Sequence, residues 1–337
     1  MKRIGGLYEK IAEPENLRLA FWKAQRRKSG KQDILRYREN LEENLNQLRE
    51  GLLSGSIDIG HYHYFTIYDP KERMICAADF GERVLHHAII NICEPFFETY
   101  QIYDSYACRK GKGLDAAIVR LQKFVRTYPW YLKLDVHKYF DTISHDKLLC
   151  LLKRRFKDIR LITLFRGIIE SYETGTGCGI PIGNLTSQYF ANLYLGLLDH
   201  YVKEGLRIKG YLRYMDDFVL LADSKKELKE YYIKIKNFLE KNLLLELNEP
   251  QMNRCELGIP YLGYRIMRNT FRLSRRSKLR FKQKYQEAER SLTNGNWSQK
   301  EYADHILPLL SFVQRADTKG FLRKIFGMSS MDDVRIA

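Results

Sequence analysis

Apolar residues recur along this chain at two spacings, one helical and one strand-like. Residues 33 to 54 carry Leu41, Leu45, Leu48 and Leu52 on one face, which predicts an amphipathic helix. Similar spacing predicts helices over 82 to 100, 113 to 127, 145 to 155, 185 to 204 and 225 to 242. Between them lie short apolar runs of strand length. His63 to Tyr68 and Arg73 to Ile75 flank a turn at Asp69-Pro70-Lys71-Glu72, which predicts a hairpin. Tyr131 to Asp135 reads as a strand that ends in a carboxylate. Gly210 to Arg213 and Phe218 to Ala222 flank Tyr214-Met215-Asp216-Asp217 as a second hairpin. Residues 275 to 284 predict a cationic helix, and Leu307, Leu309, Leu310, Phe312 and Val313 a helix behind it. Both periods in this order predict an α+β fold in which antiparallel strands are backed by helices.

With 337 residues and no repeat or low-complexity linker, the chain is expected to form one body of interleaved subdomains around a large core. Its 57 Lys and Arg against 41 acids give a net charge of +16, which suits a polyanionic partner. A ribosomal or chromatin protein would be equally basic. Hydrophobic residues make up 45% and aromatics 13%, which argues against a disordered basic tail. Six cysteines, at 76, 93, 108, 150, 178 and 255, lack any paired metal spacing, so neither zinc nor disulfides are expected. The N-terminus lacks a long apolar segment and no stretch approaches the length of a membrane span, which leads us to expect a reduced, cytoplasmic protein.

Asp216 and Asp217 change the picture. Adjacent carboxylates repel and cost folding energy unless a cation offsets them, and the flanking strands look too apolar to supply one. An ordinary acidic turn would also explain the pair. Asp135 supplies a third acid, and the three together make the oxygen-only set preferred by Mg²⁺. Two such ions could activate a 3′-hydroxyl and neutralise a leaving pyrophosphate in an in-line phosphoryl transfer.

Together these segments resemble reverse transcriptases, whose palm carries one Asp after a strand and a second pair in a Tyr-X-Asp-Asp hairpin. The resemblance implies a right-hand polymerase of fingers, palm and helical thumb, with Asp135, the Val136 carbonyl, Asp216 and Asp217 holding two Mg²⁺, or Mn²⁺ in their place. Phe140, five residues after Asp135, matches the aromatic gate that excludes a ribonucleotide 2′-hydroxyl. Arg73, and with it Lys71, matches the basic residues of the fingers hairpin that grip the triphosphate. Gly179 to Gln188 matches the family's second palm motif, with Ile182 where relatives have Gln and Gln188 where they have Pro; Gly183 stands between them. This variant resembles the reverse transcriptases of diversity-generating retroelements. An aliphatic Ile182 cannot make the polar contacts of Gln, so low fidelity opposite template adenines is implied.

The resemblance also assigns nucleic-acid contacts to Arg83, Arg109, Lys112, Tyr214 and Met215, to Leu262 and Gly263 in a primer-grip hairpin, and to Arg275, Arg276, Lys278, Arg280 and Lys282 on a thumb helix. It divides the chain into fingers (1–127), palm (128–144), a connection (145–178), palm again (179–268) and thumb (269–337). The family's Lys after the Leu-Asn pair is missing here, and Arg254 is a poor proton donor. Implied partners are a template RNA, a primer, deoxynucleoside triphosphates and a small basic accessory protein that RNA would bridge. A retron or group II intron enzyme is the first alternative, although the latter usually carries regions beyond the thumb. The second alternative is an RNA-binding splicing or defence factor with a vestigial polymerase site.

Overall fold

In the computed structural model, residues 3–68 and 72–326 are described. The chain begins with four helices, α1 (Tyr8–Ile11), α2 (Pro14–Ala24), α3 (Gln32–Glu39) and α4 (Leu41–Ser54). A hairpin follows, β1 (Tyr62–Tyr68) and β2 (Glu72–Ala78), then α5 (Phe80–Glu98), α6 (Leu114–Thr127) and β3 (Trp130–Asp135). Next come α7 (Tyr139–Thr142), α8 (His145–Arg155), α9 (Ile159–Glu170) and α10 (Leu185–His200). The second hairpin, β4 (Tyr211–Tyr214) and β5 (Asp217–Ala222), precedes α11 (Lys225–Phe238) and β6 (Gln251–Arg254). The remainder is β7 (Ile259–Tyr261), β8 (Tyr264–Ile266), β9 (Phe271–Leu273), α12 (Arg275–Thr293), α13 (Gln299–Gln314) and α14 (Lys319–Phe326).

These elements make three sheets: β1–β2, a four-stranded sheet in the order β4–β5–β3–β6, and β7–β8–β9. Both small sheets are antiparallel, with Phe65 opposite Ile75 in the first and Tyr264 opposite Leu273 in the last. The α+β expectation therefore holds. The chain divides into two compact units, one of Met1–Gly113, Lys133–Phe218 and Lys229–Pro250, the other of Leu114–Leu132, Val219–Leu228 and Gln251–Ala337.

Several predicted helices differ in detail. The one read over 33 to 54 breaks at Asn40, whose backbone leaves the helical region at φ −115° and ψ 40°. Leu41, Leu45, Leu48 and Leu52 all follow the break, in α4, so their spacing carries no information on where the helix before Asn40 ends. The helices read to 204 and 242 end earlier as regular α-helix, at His200 and Phe238, and continue as wider π-turns. The periodicity does not assign α2, although Pro14 at its first position is a start signal, nor α9, which Asp158 caps by accepting from Leu161 N.

The core of the first unit gathers on α5, α8, α9 and α10. Phe97, Phe156, Phe165 and Phe190 are fully buried and pack with ring centroids 5.3 to 6.4 Å apart. Each buried ring contributes about 1.5–3 kcal/mol, so this cluster fixes the platform from which α10 extends. Among the described residues, no helix is long and apolar enough to cross a membrane.

One half-buried group predicts a pH response. Burial first, then Lys23, His86 and Arg83, lower the His87 imidazole from 6.5 to about 4. The folded chain thus keeps His87 neutral while the unfolded chain protonates it first as pH falls. Its contribution is whole above about 6.5 and is lost as pH drops toward 4. We expect His87→Asn to flatten the unfolding free energy against pH over that window by about 1–2 kcal/mol relative to wild type. Parallel curves for the two proteins would contradict the assignment.

Candidate active site

The two acidic segments meet at the ends of neighbouring strands. Asp135 ends β3 and Asp217 begins β5, and the Val136 amide donates to the Asp216 carbonyl at 3.4 Å. Met215 sits at the tip of the β4–β5 hairpin with φ 56°, a left-handed conformation that costs a residue with a long side chain.

Arg213 holds that turn in place. Its side chain is fully buried and bonds Asp199 through Nη2 at 2.6 Å and Nε at 2.9 Å. Nη1 then donates to the Met215 carbonyl at 2.9 Å and to Asn192 Oδ1 at 3.0 Å. Burial opposes the Arg213 charge, and Asp199 more than reverses that effect, raising the guanidinium above its ordinary range. A strained turn carrying two acids is thereby tied to the buried face of α10. Neither Asp199 nor Arg213 carries a local sequence signal for this role, because the pair forms only when the hairpin lies against α10.

The carboxylates are electrostatically crowded. Burial and then Asp135 raise the Asp216 carboxyl, while Arg73 and Arg213 pull it down. Burial pushes Asp217 up to about 7 against the pull of Lys133. The Lys133 ammonium lies 3.0 Å from Asp217 Oδ2. The expectation that the flanking strands are too apolar to supply a counter-charge is corrected by Arg213, which lies in β4 itself and pulls Asp216 down; a further cation reaches Asp217 from β3, two residues before Asp135. Residues i and i+2 of a strand share a face, so the Lys133 and Asp135 spacing is a usable signal.

Asp135 has its own support. Asn248 Nδ2 donates to Asp135 Oδ2 at 2.8 Å, and the Asn248 amide donates to the Asp135 carbonyl at 2.9 Å. His137 Nδ1 meets Asn248 Oδ1 at 2.9 Å and continues this chain outward.

The donor set suits a hard divalent cation. It consists of carboxylate and carbonyl oxygens, and the repulsion that raises Asp216 is of the kind a bound cation relieves. Among the described residues, however, no three carboxylate, imidazole or thiol groups are drawn together as a ready cage. Lys133 holds Asp217 and Asn248 holds Asp135, so cation binding here means exchanging those partners.

The other expected residues fall at differing distances from this chemistry. Arg73 is exposed on β2 and is close enough to lower Asp216; Lys71 lies outside the described residues. Phe140 is half-buried in α7, edge-on to Tyr139, with its carbonyl accepting from the Ile180 amide at 2.9 Å. Ile182 is half-buried and its carbonyl accepts from Cys76 N at 2.9 Å. Gly183 has φ 132°, and a Cβ there would lie 2.8 Å from the Cys76 carbonyl, so only glycine lets β2 seat on this turn. Gln188 is half-buried in the first turns of α10. Beside it Thr186 Oγ1 meets His86 Nδ1 at 2.6 Å, and His86 Nε2 meets Glu82 at 3.2 Å, a buried chain with no signature in the sequence.

Three expected nucleic-acid contacts have partners within the chain. Arg83 donates to the Ala24 carbonyl at 2.9 Å and stands over the Phe80 ring. Arg109 spends its guanidinium on Glu98 and on the carbonyls of Ile102 and Ser105. Lys112 lies over the Tyr103 ring and donates to the Tyr103 carbonyl. Arg109 and Lys112 shape the loop between α5 and α6, and Arg83 ties α5 to the end of α2. Tyr214 is half-buried beside the acidic turn.

In the second unit Leu262 and Gly263 form a tight turn, with φ 48° and 85°. A Cβ on Gly263 would lie 2.8 Å from Phe312 on α13, and Ser277 Oγ on α12 donates to the Gly263 carbonyl at 2.7 Å. On α12, Arg275, Arg276, Arg280 and Lys282 are exposed, while Lys278 is half-buried over Phe321. Arg254 stands over Trp130 and 3.4 Å from Glu256.

Comparison with known proteins adds a family. The family described as "Reverse transcriptase (RNA-dependent DNA polymerase)" matches residues 69–266, more than half of the chain. Protein YkfC of Escherichia coli is 26% identical over 280 residues, covering 68% of this chain and 72% of that protein. The group II intron-encoded protein LtrA of Lactococcus lactis is 25% identical over 138 residues, 39% of this chain and 23% of LtrA. Among solved structures, telomerase from Candida albicans in complex with a fragment of telomeric RNA superposes with a TM-score of 0.49 at 11% identity, covering 82% of this chain and 58% of that one. The chain thus spans well under two thirds of LtrA and of the telomerase.

Proposed function

We propose, because this chain belongs to the reverse transcriptase (RNA-dependent DNA polymerase) family, that it extends a primer on an RNA template as the error-prone polymerase of a diversity-generating retroelement. The observation that carries the polymerase reading is that the segments bearing Asp135, Asp216 and Asp217 meet at neighbouring strand ends, with Arg213 fixing the turn. Asp135, Asp216, Asp217 and the Val136 carbonyl would hold Mg²⁺, which when bound would lower the pKa of the primer 3′-hydroxyl and neutralise charge on the pyrophosphate.

Each remaining residue has a positioning task. Arg73 clamps the triphosphate through its planar fork. Phe140, fixed through Ile180, closes the space a 2′-hydroxyl would need. The Leu262–Gly263 turn steadies the primer end, and α12 neutralises duplex phosphates without reading sequence. Lys71 is assigned beside Arg73 from its motif position.

Ile182 and Gln188 favour the retroelement subtype. With an apolar side chain at 182, a mispaired base forfeits less polar contact relative to a correct one, so discrimination falls. The partner expected is a small basic accessory protein, with RNA offsetting the mutual repulsion that a charge of +16 implies. A group II intron role is the second reading, favoured by the likeness to LtrA. Sequencing cDNA copied from a defined RNA separates the two. We expect wild-type errors to concentrate opposite template adenines and Ile182→Gln to lower them about tenfold, the scale of a single polar interaction. Faithful copying by wild type would move the chain to the intron or retron class.

A further inference from the structure

The region where α8 meets α9 carries a cleft that none of the aspartates of the candidate active site line. It has a volume of about 720 Å³, and its walls include Arg3, Lys153, Arg154 and Arg166 with Asp146 as the one acid. Among the described residues Arg3, Lys153 and Arg154 make no ion pair, and Arg166 has only a loose one, 3.9 Å from Glu170. Four cations converging on one cavity repel each other, a cost that a polyanion relieves.

The convergence is built by the fold. The Ile4 amide donates to the Arg155 carbonyl at 2.9 Å and the Lys157 amide to the Ile4 carbonyl at 2.7 Å, a parallel bridge that brings Arg3 to the end of α8. The amides of Leu7 and Tyr8 donate to Asp158, the residue that also caps α9, and so lock the same segment. Within the run Lys153-Arg154-Arg155 the third side chain turns inward to the Phe96 carbonyl, leaving the first two on the cleft. Cations at the C-terminal end of α8 also complement its dipole. That effect accounts for Lys153 and Arg154 but not for Arg3 and Arg166, which arrive from other segments.

We propose that this cleft is a docking site for the phosphate backbone of RNA, apart from the primer–template path. Three guanidinium groups offer planar forks matched to phosphate oxygens, and the other walls, Leu149 and Cys150, offer nothing that selects a base. The choice of RNA over an acidic protein rests on the polymerase reading above, since the enzyme must keep hold of a template longer than the stretch in its active site.

The test uses the full chain and a fluorescein-labelled stem-loop RNA that carries no primer. Binding is followed by anisotropy across a salt series, with extension of a short preannealed primer–template measured in parallel. Arg154→Glu/Arg166→Glu is expected to weaken binding at least about tenfold and to flatten log Kd against log salt by about 1.5–2 units, roughly one for each phosphate no longer neutralised. Short-template extension stays at the wild-type level. In the wild-type protein, whose Cys150 is exposed in the cleft, the same RNA protects that thiol from N-ethylmaleimide; this arm decides if the variant misfolds. Unchanged affinity and slope, unprotected Cys150, or protection by polyglutamate but not by RNA each overturns the proposal. A wild type that shows the RNA effects yet never extends a primer would sink the polymerase reading and leave the cleft standing.

Discussion

Asp216→Asn lowers primer extension by at least about a thousandfold and at the same time stabilises the fold. The loss follows from removing a charge on which transition-state neutralisation depends, an effect of this order for a single electrostatic group. The gain follows from geometry in metal-free buffer: burial and Asp135 already raise the Asp216 carboxyl, so folding works against its charge. Removing that charge relieves the repulsion and raises the melting temperature in the same buffer. The paired readout is informative because a general structural lesion lowers both quantities. A variant equally inactive but less stable would show that Asp216 serves the fold, whereas an active variant would remove it from the chemistry.

Arg213→Met unfolds or inactivates the chain, and the companion change at Asp199 separates the two effects. Breaking a fully buried pair leaves Asp199 charged with no counter-ion, a loss of about 3–5 kcal/mol. Replacing both partners, as Arg213→Met with Asp199→Leu, removes the uncompensated charge and recovers most of that stability. Activity does not return with it. The Met215 carbonyl still lacks its donor, so the left-handed turn that aims Asp216 is no longer pinned. We expect the double variant to melt within a few degrees of wild type while extending primers at least about a hundredfold more slowly. Recovery of full activity in the double variant would reduce Arg213 to a packing residue.

How much of this is legible in the sequence depends on range. The β4–β5 hairpin and the strand ending at Asp135 are local, set by turn residues and by apolar runs of strand length, and the structure has both; the turn at Leu262–Gly263 is expected from the resemblance, and the structure has it too. What local pattern cannot show is which side chains are spent inside. Arg83 and Arg109 look like solvent-facing cations, yet tertiary packing brings the Ala24 carbonyl and Glu98 within their reach. The spacing of Lys133 and Asp135 puts both on one strand face, but that Lys133 meets Asp217 follows from strand order, which sets β3 beside β5. Asn248 draws notice for the residues that follow it, while its bond to Asp135 requires the chain to return across 113 residues. Arg3 shows the same limit: its place in the α8–α9 cleft depends on a bridge from Ile4 to Phe156.

The most direct test of the account is extension of a labelled DNA primer annealed to an RNA template, with Mg²⁺ and the four deoxynucleoside triphosphates, comparing wild type with Asp216→Asn. The account predicts full-length cDNA from wild type, dependent on the divalent ion and on deoxynucleotides, and none from the variant at equal RNA affinity. Tight RNA binding by wild type with no extension, in Mg²⁺ or Mn²⁺ and with cognate RNA and helper supplied, would contradict it and leave an RNA-binding protein on a polymerase scaffold.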